Sequence, residues 1–96
     1  MKIDFTNNSG NLNVSIEGRL DTMTSPELES FFQNNLTENV TLTLNCEKLE
    51  YVSSAGLRVL LSAQKKLKGA MKLKNVQELV MEVFEMTGFA DILEIE

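Results

Sequence analysis

Two adjacent serines, Ser53 and Ser54, open the segment "SSAGLRVLL", where an apolar pattern at helical spacing begins. A serine hydroxyl at this position can cap the helix by accepting a hydrogen bond from a free backbone N–H. It can also contribute to an anion site, because helix N-termini expose unpaired N–H groups. A third chemistry is phosphorylation, which adds roughly −1.5 to −2 charge and three strong acceptor oxygens. The periodicity alone does not choose among these three interpretations.

The residues that usually activate a serine nucleophile are missing. The chain has no histidine and a single cysteine, Cys46. Ser-His-Asp catalysis, Cys-His catalysis and zinc sites built on Cys and His are therefore excluded. The acidic residues are scattered outside apolar contexts, and the single Gly56 does not make a G-x-x-x-x-G-K-[ST] phosphate loop. We expect no enzymatic activity, no cofactor and no metal, with Cys46 as a small buried or half-buried side chain.

Length and charge narrow the function classes further. The 96 residues fit a single domain spanning residues 1–96. A net charge of −5 disfavours direct binding to nucleic acid and to anionic membrane surfaces. No apolar run approaches membrane-spanning length, and the opening "MKIDFTNN" lacks the apolar stretch of a signal peptide. These features together predict a cytoplasmic protein.

Alternating apolar residues predict the strands. "MKIDF" and "LNVSIEG", separated by the turn signal "NNSGN", are typical of an N-terminal hairpin. Val40–Leu44 alternates in the same way. "AMKLKNV" contains a short strand and "ADILEIE" a weaker last one.

Three segments predict helices. The first is "TSPELESFFQNNL", in which Ser25 can cap and Pro26 suits the first helical position. The second runs from the serines to Gly69. The third is "VQELVMEVFEMTG", which Gly88 ends and whose apolar positions are Val76, Leu79, Val80, Val83 and Phe84.

The predicted order is β-β-α-β-α-β-α-β. This order indicates an α/β fold with a mixed four- to five-stranded sheet and helices packed on it. Right-handed crossovers place the strands after the first helix parallel to a neighbour. The segment Val52–Gly56 is then a loop at a strand end, where α/β proteins commonly carry function.

The motif "YVSSAGLRVLL" resembles the signature of STAS domains, in particular that of the bacterial anti-sigma-factor antagonists. The usual family pattern is Asp-Ser-Ser/Thr-Gly-Leu. Its aspartate falls on Ser53, its phosphorylated serine on Ser54 and its second Ser/Thr on Ala55. Its glycine and leucine fall on Gly56 and Leu57.

Two further segments extend this resemblance over nearly the whole chain. "EGRLDTMTSPELE" is similar to the Gly-x-Leu-Asp loop that leads into the first helix of the family. "NVQELVMEVFEMTGFADILEI" is similar to the C-terminal helix, glycine and last strand. The resemblance implies a single STAS domain with the STAS fold over residues 1–96.

The resemblance also implies a partner-switching mechanism. The unphosphorylated domain binds an anti-sigma factor that is itself a GHKL-type serine kinase, and this kinase phosphorylates Ser54 to end the complex. A metal-dependent serine phosphatase restores the binding form. Ser53 is the runner-up phosphoacceptor, because a serine stands here where many relatives carry aspartate. The implied partner-binding residues are Asp21, Thr22, Met23, Ser53, Ser54, Ala55, Gly56, Leu57 and Arg58.

Plainer interpretations stay open for several of these residues. Asp21 and Thr22 are ordinary capping residues before a helix, and Met23 can be a staple onto that helix. Arg58 can be a solvated helix residue. The alternative function is a phosphorylation-independent STAS accessory subunit of a transport or other membrane complex, since STAS domains also occur in anion transporters and lipid-transport systems.

Overall fold

Five strands form one mixed sheet in the order β1-β2-β3-β4-β5 in the computed structural model, which describes all 96 residues. β1 pairs antiparallel with β2, whereas β3, β4 and β5 each run parallel to the strand before them. The predicted α/β class, element order and parallel pairing are confirmed. The strands are β1 (Lys2–Asn8), β2 (Asn11–Leu20), β3 (Thr41–Val52), β4 (Met71–Lys74) and β5 (Glu94–Ile95).

Three α-helices and one short 3-10 turn connect the parallel strands. The helices are α1 (Ser25–Asn35), α2 (Ser54–Lys66) and α3 (Glu78–Thr87), and the 3-10 turn spans Phe89–Asp91. Gly88 ends α3 in the left-handed conformation with φ of 82°, as the sequence predicts. None of the helices combines the length and the apolar character that crossing a bilayer requires.

The helices cover one face of the sheet and leave the other face to solvent. The buried residues Leu12, Leu42 and Met71 stand side by side on β2, β3 and β4, so they share the helix-covered face. Their sequence neighbours on the strands point to the opposite, largely polar face. Cys46 belongs to the buried set, and burial raises the pKa of its thiol to about 12. This agrees with the expected buried cysteine.

The start of the first helix differs from the prediction by one residue. Thr24 stands at the cap position, Ser25 is the first helical residue and Pro26 is the second. Ser25 is buried, and its hydroxyl donates a hydrogen bond to the Asp21 carbonyl at 2.5 Å. Ser25 therefore ties the helix back to the preceding loop instead of capping it.

The third strand is much longer than the predicted Val40–Leu44. β3 continues to Val52 through two irregularities, where its pairing with β2 advances by one extra residue each time. The buried positions therefore pass from a spacing of two to a spacing of three, at Cys46, Leu49 and Val52. This interruption hides the strand from a search for strict alternation.

The predicted apolar face of the third helix is also partly wrong. Val80 and Phe84 are fully buried, but Leu79 is 68% exposed and Val76 precedes the helix. Successive helical residues are rotated by about 100°, so Leu79 turns away from the sheet when Val80 faces it. In the last predicted strand, only Glu94–Ile95 pairs with β4.

A matched pair of leucine substitutions tests this placement. We expect Leu60→Ala to lower the free energy of unfolding by about 2–5 kcal/mol, because Leu60 is fully buried and truncation leaves a cavity. Leu79→Ala should change it by less than about 0.5 kcal/mol, as for other exposed positions. Urea unfolding followed by circular dichroism measures both values. Equal losses in the two variants would contradict the assigned orientation of α3.

Candidate functional site

Two chain segments that follow neighbouring parallel strands meet at one edge of the sheet. The aspartate loop (Asp21–Thr24) follows β2, and the serine turn (Ser53–Gly56) follows β3. Leu20 and Val52 are the last paired residues of these strands. Beyond them, the Ser53 N–H donates a hydrogen bond of 2.9 Å to the Leu20 carbonyl. The two candidate segments are therefore fixed to each other by backbone pairing.

Gly56 allows the close approach of the serine turn to β2. A Cβ atom at this position would lie 2.7 Å from Leu20 Cγ and 2.9 Å from the Leu20 carbonyl oxygen. It would also lie 3.0 Å from Val52 Cγ2. Every other side chain would have to displace backbone or core atoms. The glycine of the motif is thus explained by packing between β2, β3 and α2.

The two serines occupy different positions at the start of α2. Ser53 is the N-cap with extended backbone angles (φ −97°, ψ 175°), and its Oγ accepts a long hydrogen bond of 3.4 Å from the Gly56 N–H. Ser54 is the first helical residue and is exposed. The predicted loop Val52–Gly56 is therefore wrong in extent, because the strand reaches Val52 and the helix starts at Ser54.

The aspartate loop is held by reciprocal hydrogen bonds. Asp21 Oδ1 accepts from the Met23 N–H at 3.0 Å and from the Thr24 N–H at 3.1 Å. Thr24 Oγ1 accepts from the Asp21 N–H at 2.9 Å and donates to the Arg19 carbonyl at 2.7 Å. These bonds close the loop on itself and hold Met23 at its tip, where it is 87% exposed and is not a staple. The capping interpretation of Asp21 and Thr22 is wrong, because Thr24 is the N-cap of α1 and no side chain makes a capping bond there.

The charge of Asp21 is stabilised by this loop. The Thr24 N–H is the largest influence that lowers the pKa of the Asp21 carboxyl, and the Met23 N–H adds to it. The Arg19 guanidinium makes a smaller contribution from 3.7 Å. Arg19 also stacks over the Tyr51 ring, with its central carbon 4.2 Å from the ring centroid.

A shallow groove runs between the first turns of α1 and α2 and joins the two segments. It has a volume of about 190 Å³. Arg58 is exposed beside this groove, one helical turn after Ser54. The lining residues are Thr22, Ser25, Pro26, Glu29, Ala55, Arg58 and Val59. The groove places residues from both predicted segments on one continuous surface.

The predicted site residues divide into surface residues and supporting residues. Thr22, Met23, Ser54 and Arg58 are exposed, and Asp21, Ser53 and Ala55 are half-buried. Gly56 is buried and Leu57 is only 4% exposed. Neither offers contact area to a partner in this structure, so both support the surface from below. No group of three or more His, Cys, Asp or Glu side chains is placed to hold a metal ion.

Sequence reasoning did not include the Arg19–Tyr51 pair. Their adjacency depends on the irregular pairing of β2 with β3, which aligns Arg19 with Tyr51. The segment "GRLD" in front of the aspartate loop was the available signal for Arg19. Nothing in the local pattern around Tyr51 pointed to it.

Comparison with known proteins places this geometry among related chains. The STAS domain family matches residues 2–96. The chain is 28% identical over 98 residues to the anti-sigma-B factor antagonist of Bacillus subtilis, covering 99% of this chain and 90% of that protein.

Two solved structures share the fold. An anti-sigma factor antagonist from Mycobacterium paratuberculosis superposes with a TM-score of 0.86 at 20% identity, over 98% of this chain and 83% of that one. The Bacillus cell fate determinant SpoIIAA in its phosphorylated form gives a TM-score of 0.69 at 18% identity, over 99% and 91% of the two chains.

The hydrogen bonds of the aspartate loop predict a pH dependence. Because the pKa of folded Asp21 is below its ordinary value of 3.8, the carboxylate stabilises the fold above that value. This contribution is lost as the pH falls through the lowered pKa of the folded state. We expect Asp21→Asn to flatten the fall in the free energy of unfolding at acid pH. Urea unfolding at a series of pH values compares the two proteins, and parallel curves would contradict the assignment.

The close approach at Gly56 predicts a steric cost. Gly56→Ala should lower the free energy of unfolding by about 1–3 kcal/mol, although alanine favours helices, because the added methyl overlaps Leu20 and Val52. Ser62→Ala in the same helix is the control, since Ser62 is exposed and should tolerate the change. Urea midpoints measure both. A stabilised Gly56→Ala protein would show that β2 and α2 are not packed this closely.

Proposed function

Because the chain belongs to the STAS domain family, we propose that it is an anti-sigma factor antagonist that works by partner switching. The unphosphorylated protein binds an anti-sigma factor through the aspartate loop and the serine turn. Phosphorylation of Ser54 ends this complex. The observation that supports the proposal is the position of Ser54, which is exposed at the first position of α2 beside a loop that presents Met23 to solvent.

The binding surface combines an apolar contact with a rigid polar frame. Met23 is the most exposed large apolar side chain of the molecule, at 87%. Its loop is already ordered by the Asp21 and Thr24 hydrogen bonds, so a partner does not have to order it. The direct contacts of the proposal are Asp21, Thr22, Met23, Ser54, Ala55 and Arg58, supported by Ser53, Gly56 and Leu57.

The fold can accept a phosphate on Ser54. The first N–H groups of a helix lack intrahelical partners, and the helix dipole favours an anion at this end. Arg58 follows Ser54 by four residues, a spacing that brings side chains together on a helix surface. Phosphorylation should therefore leave the domain folded, so the effect on binding arises at the surface.

The same phosphate should oppose the complex. A doubly negative group at the start of α2 would have to be desolvated against the partner, and burying an unpaired charge costs several kcal/mol. Each ~1.4 kcal/mol changes an affinity about tenfold. A single modification is thus sufficient to weaken binding by orders of magnitude without rearranging the fold.

Ser54 is a better phosphoacceptor than Ser53 on structural grounds. Ser53 is half-buried, and its Oγ faces the Gly56 N–H as the cap of α2. A phosphate on Ser53 would have to replace this contact next to the tightly packed Gly56. The Ser54 side chain points from the first helical turn into solvent.

The proposal assigns two protein partners to this chain. They are an anti-sigma factor with GHKL-type serine kinase activity and a metal-dependent serine phosphatase that restores the binding form. The chain itself is a ligand and a substrate in the cytoplasm and catalyses nothing. The net charge of −5 repels nucleic acid and anionic membranes, so neither belongs to the proposal.

Three serine variants test the switch. Ser54→Asp should weaken binding to the cognate anti-sigma factor at least about tenfold, because it places a charge at the contact surface. Ser54→Ala should bind as the wild type does and resist release by ATP. Ser53→Ala is the matched control, which should still be released. Isothermal titration calorimetry gives the affinities, and thermal unfolding checks that each variant is folded.

Phosphopeptide masses after incubation with the kinase, ATP and magnesium identify the modified residue. One phosphate on Ser54 supports the proposal. A phosphate on Ser53 would contradict the choice of Ser54 and identify Ser53 as the phosphorylated residue. Equal affinity of Ser54→Asp and Ser54→Ala contradicts the switch. Absence of any phosphate with the cognate kinase favours the phosphorylation-independent accessory subunit.

A further inference from the structure

The outer edge of β1 is a long unpaired strand edge at one side of the sheet. β1 is terminal in the sheet and has seven residues, Lys2–Asn8, whereas β5 at the other edge has two. Its pairing with β2 proceeds without a bulge and contains no proline. Regular edge strands present rows of free N–H and C=O groups that can pair with another strand.

The register of the hairpin defines which residues offer these groups. The Gly10 carbonyl accepts a hydrogen bond of 2.9 Å from the Thr41 N–H. At the start of β2, the N–H and C=O groups of even-numbered residues therefore point to β3. Those of odd-numbered residues point to β1. Asn8 pairs with Asn11 across the turn, and Asp4 pairs with Ser15. In an antiparallel ladder, the alternate residues Ile3, Phe5 and Asn7 therefore present their N–H and C=O groups outward.

The side chains along this edge are divided by chemistry between the two faces. Ile3 and Phe5 lie on the helix-covered face, where Phe5 is 51% exposed and its ring meets Phe31 edge-to-face at 4.9 Å. Lys2 and Asp4 lie on the open face, 68% and 69% exposed, with Nζ and Oδ2 3.9 Å apart. A basic and an acidic residue thus flank the apolar Ile3 at equal spacing.

We propose that β1 pairs antiparallel with β1 of a second copy of this chain about a two-fold axis at Ile3. In this register, Lys2 of each copy stands opposite Asp4 of the other, and the two Ile3 residues exchange backbone hydrogen bonds. Met1 stands opposite Phe5 of the other copy, so apolar side chains meet on the helix-covered face. Opposite charges and apolar pairs placed across antiparallel strands both stabilise the ladder.

Charge complementarity selects this register over the symmetric one centred on the next outward-facing residue, and axes at Lys2 or Asp4 would set like charges opposite each other. An axis at Phe5 also uses outward-facing backbone groups, but it places Lys2 opposite Asn8 and Asp4 opposite Thr6. That arrangement leaves both charges without an opposite partner and sets Ile3 against Asn7. Only the axis at Ile3 converts the Lys-Ile-Asp sequence into two ion pairs between copies.

The proposed pairing uses residues of β1, and none of them belongs to the proposed switch surface. Because β1 of the two copies run antiparallel, their β2 strands also run antiparallel to each other. The aspartate loop and serine turn of one copy then lie beyond one set of strand ends of the joined sheet, and those of the other copy lie beyond the opposite strand ends. Pairing at β1 is therefore independent of the proposed function and stands or fails separately from it.

A charge-reversal cycle tests the interface on the full chain. Lys2→Asp and Asp4→Lys should each weaken the dimer about tenfold, since each replaces two attractive cross-strand pairs by two repulsive ones. The double variant should recover the wild-type dissociation constant, because it restores opposite charges in the reversed order. Lys48→Asp is the control, because it changes the net charge as Lys2→Asp does. Lys48 is exposed and lies on β3, the central strand of the sheet, away from the proposed interface.

Sedimentation equilibrium over a wide concentration range at low ionic strength measures the constants, and thermal unfolding confirms that every variant is folded. The proposal predicts a dimer that weakens with added salt, because screening reduces charge pairing. A wild type that stays monomeric at every concentration overturns it. A dimer insensitive to the single reversals, or a double variant that stays weakened, overturns the register and with it the proposal.

Discussion

The arrangement of the candidate site depends on the hydrogen bond from the Ser53 N–H to the Leu20 carbonyl. This bond continues the parallel pairing of β2 and β3 past the last strand residue and into the first turn of α2. It can form only because Gly56 leaves room for Leu20 against the helix. The serine turn and the aspartate loop therefore move as one unit, and the groove between α1 and α2 has a fixed shape.

This rigidity gives a physical reason for a switch based on surface charge. A flexible loop could turn a phosphate away from a partner, whereas Ser54 is fixed by its place in a helix that packs on the sheet. The loop opposite is equally constrained, because the Asp21 carboxylate binds two of its backbone N–H groups. Added charge at Ser54 thus changes what the surface can bind while the backbone stays in place.

The sequence predicted the parts of the fold in which periodicity and capping chemistry agree. The hairpin, the helix end at Gly88, a capping serine at the start of α2 and the parallel strand order could all be inferred from local residues. The length of β3 could not, because its register against β2 shifts twice and the buried spacing changes at Cys46 and Leu49. The exposure of Leu79 depends on the rotation of α3 against the sheet, which neighbouring elements determine.

The two register shifts of β3 have a consequence for how this chain can change in evolution. Each irregularity lets β3 carry one more residue than β2 while the residues beyond it keep their side of the sheet, so Leu49 and Val52 are both buried. A single insertion or deletion between Leu44 and Val52 that no bulge absorbs would turn Val52 toward solvent and rotate the serines that follow it. Changes in the length of this strand are therefore compatible with the site only where the pairing with β2 absorbs them. This pairing, more than the composition of the strand, sets the direction in which Ser54 faces.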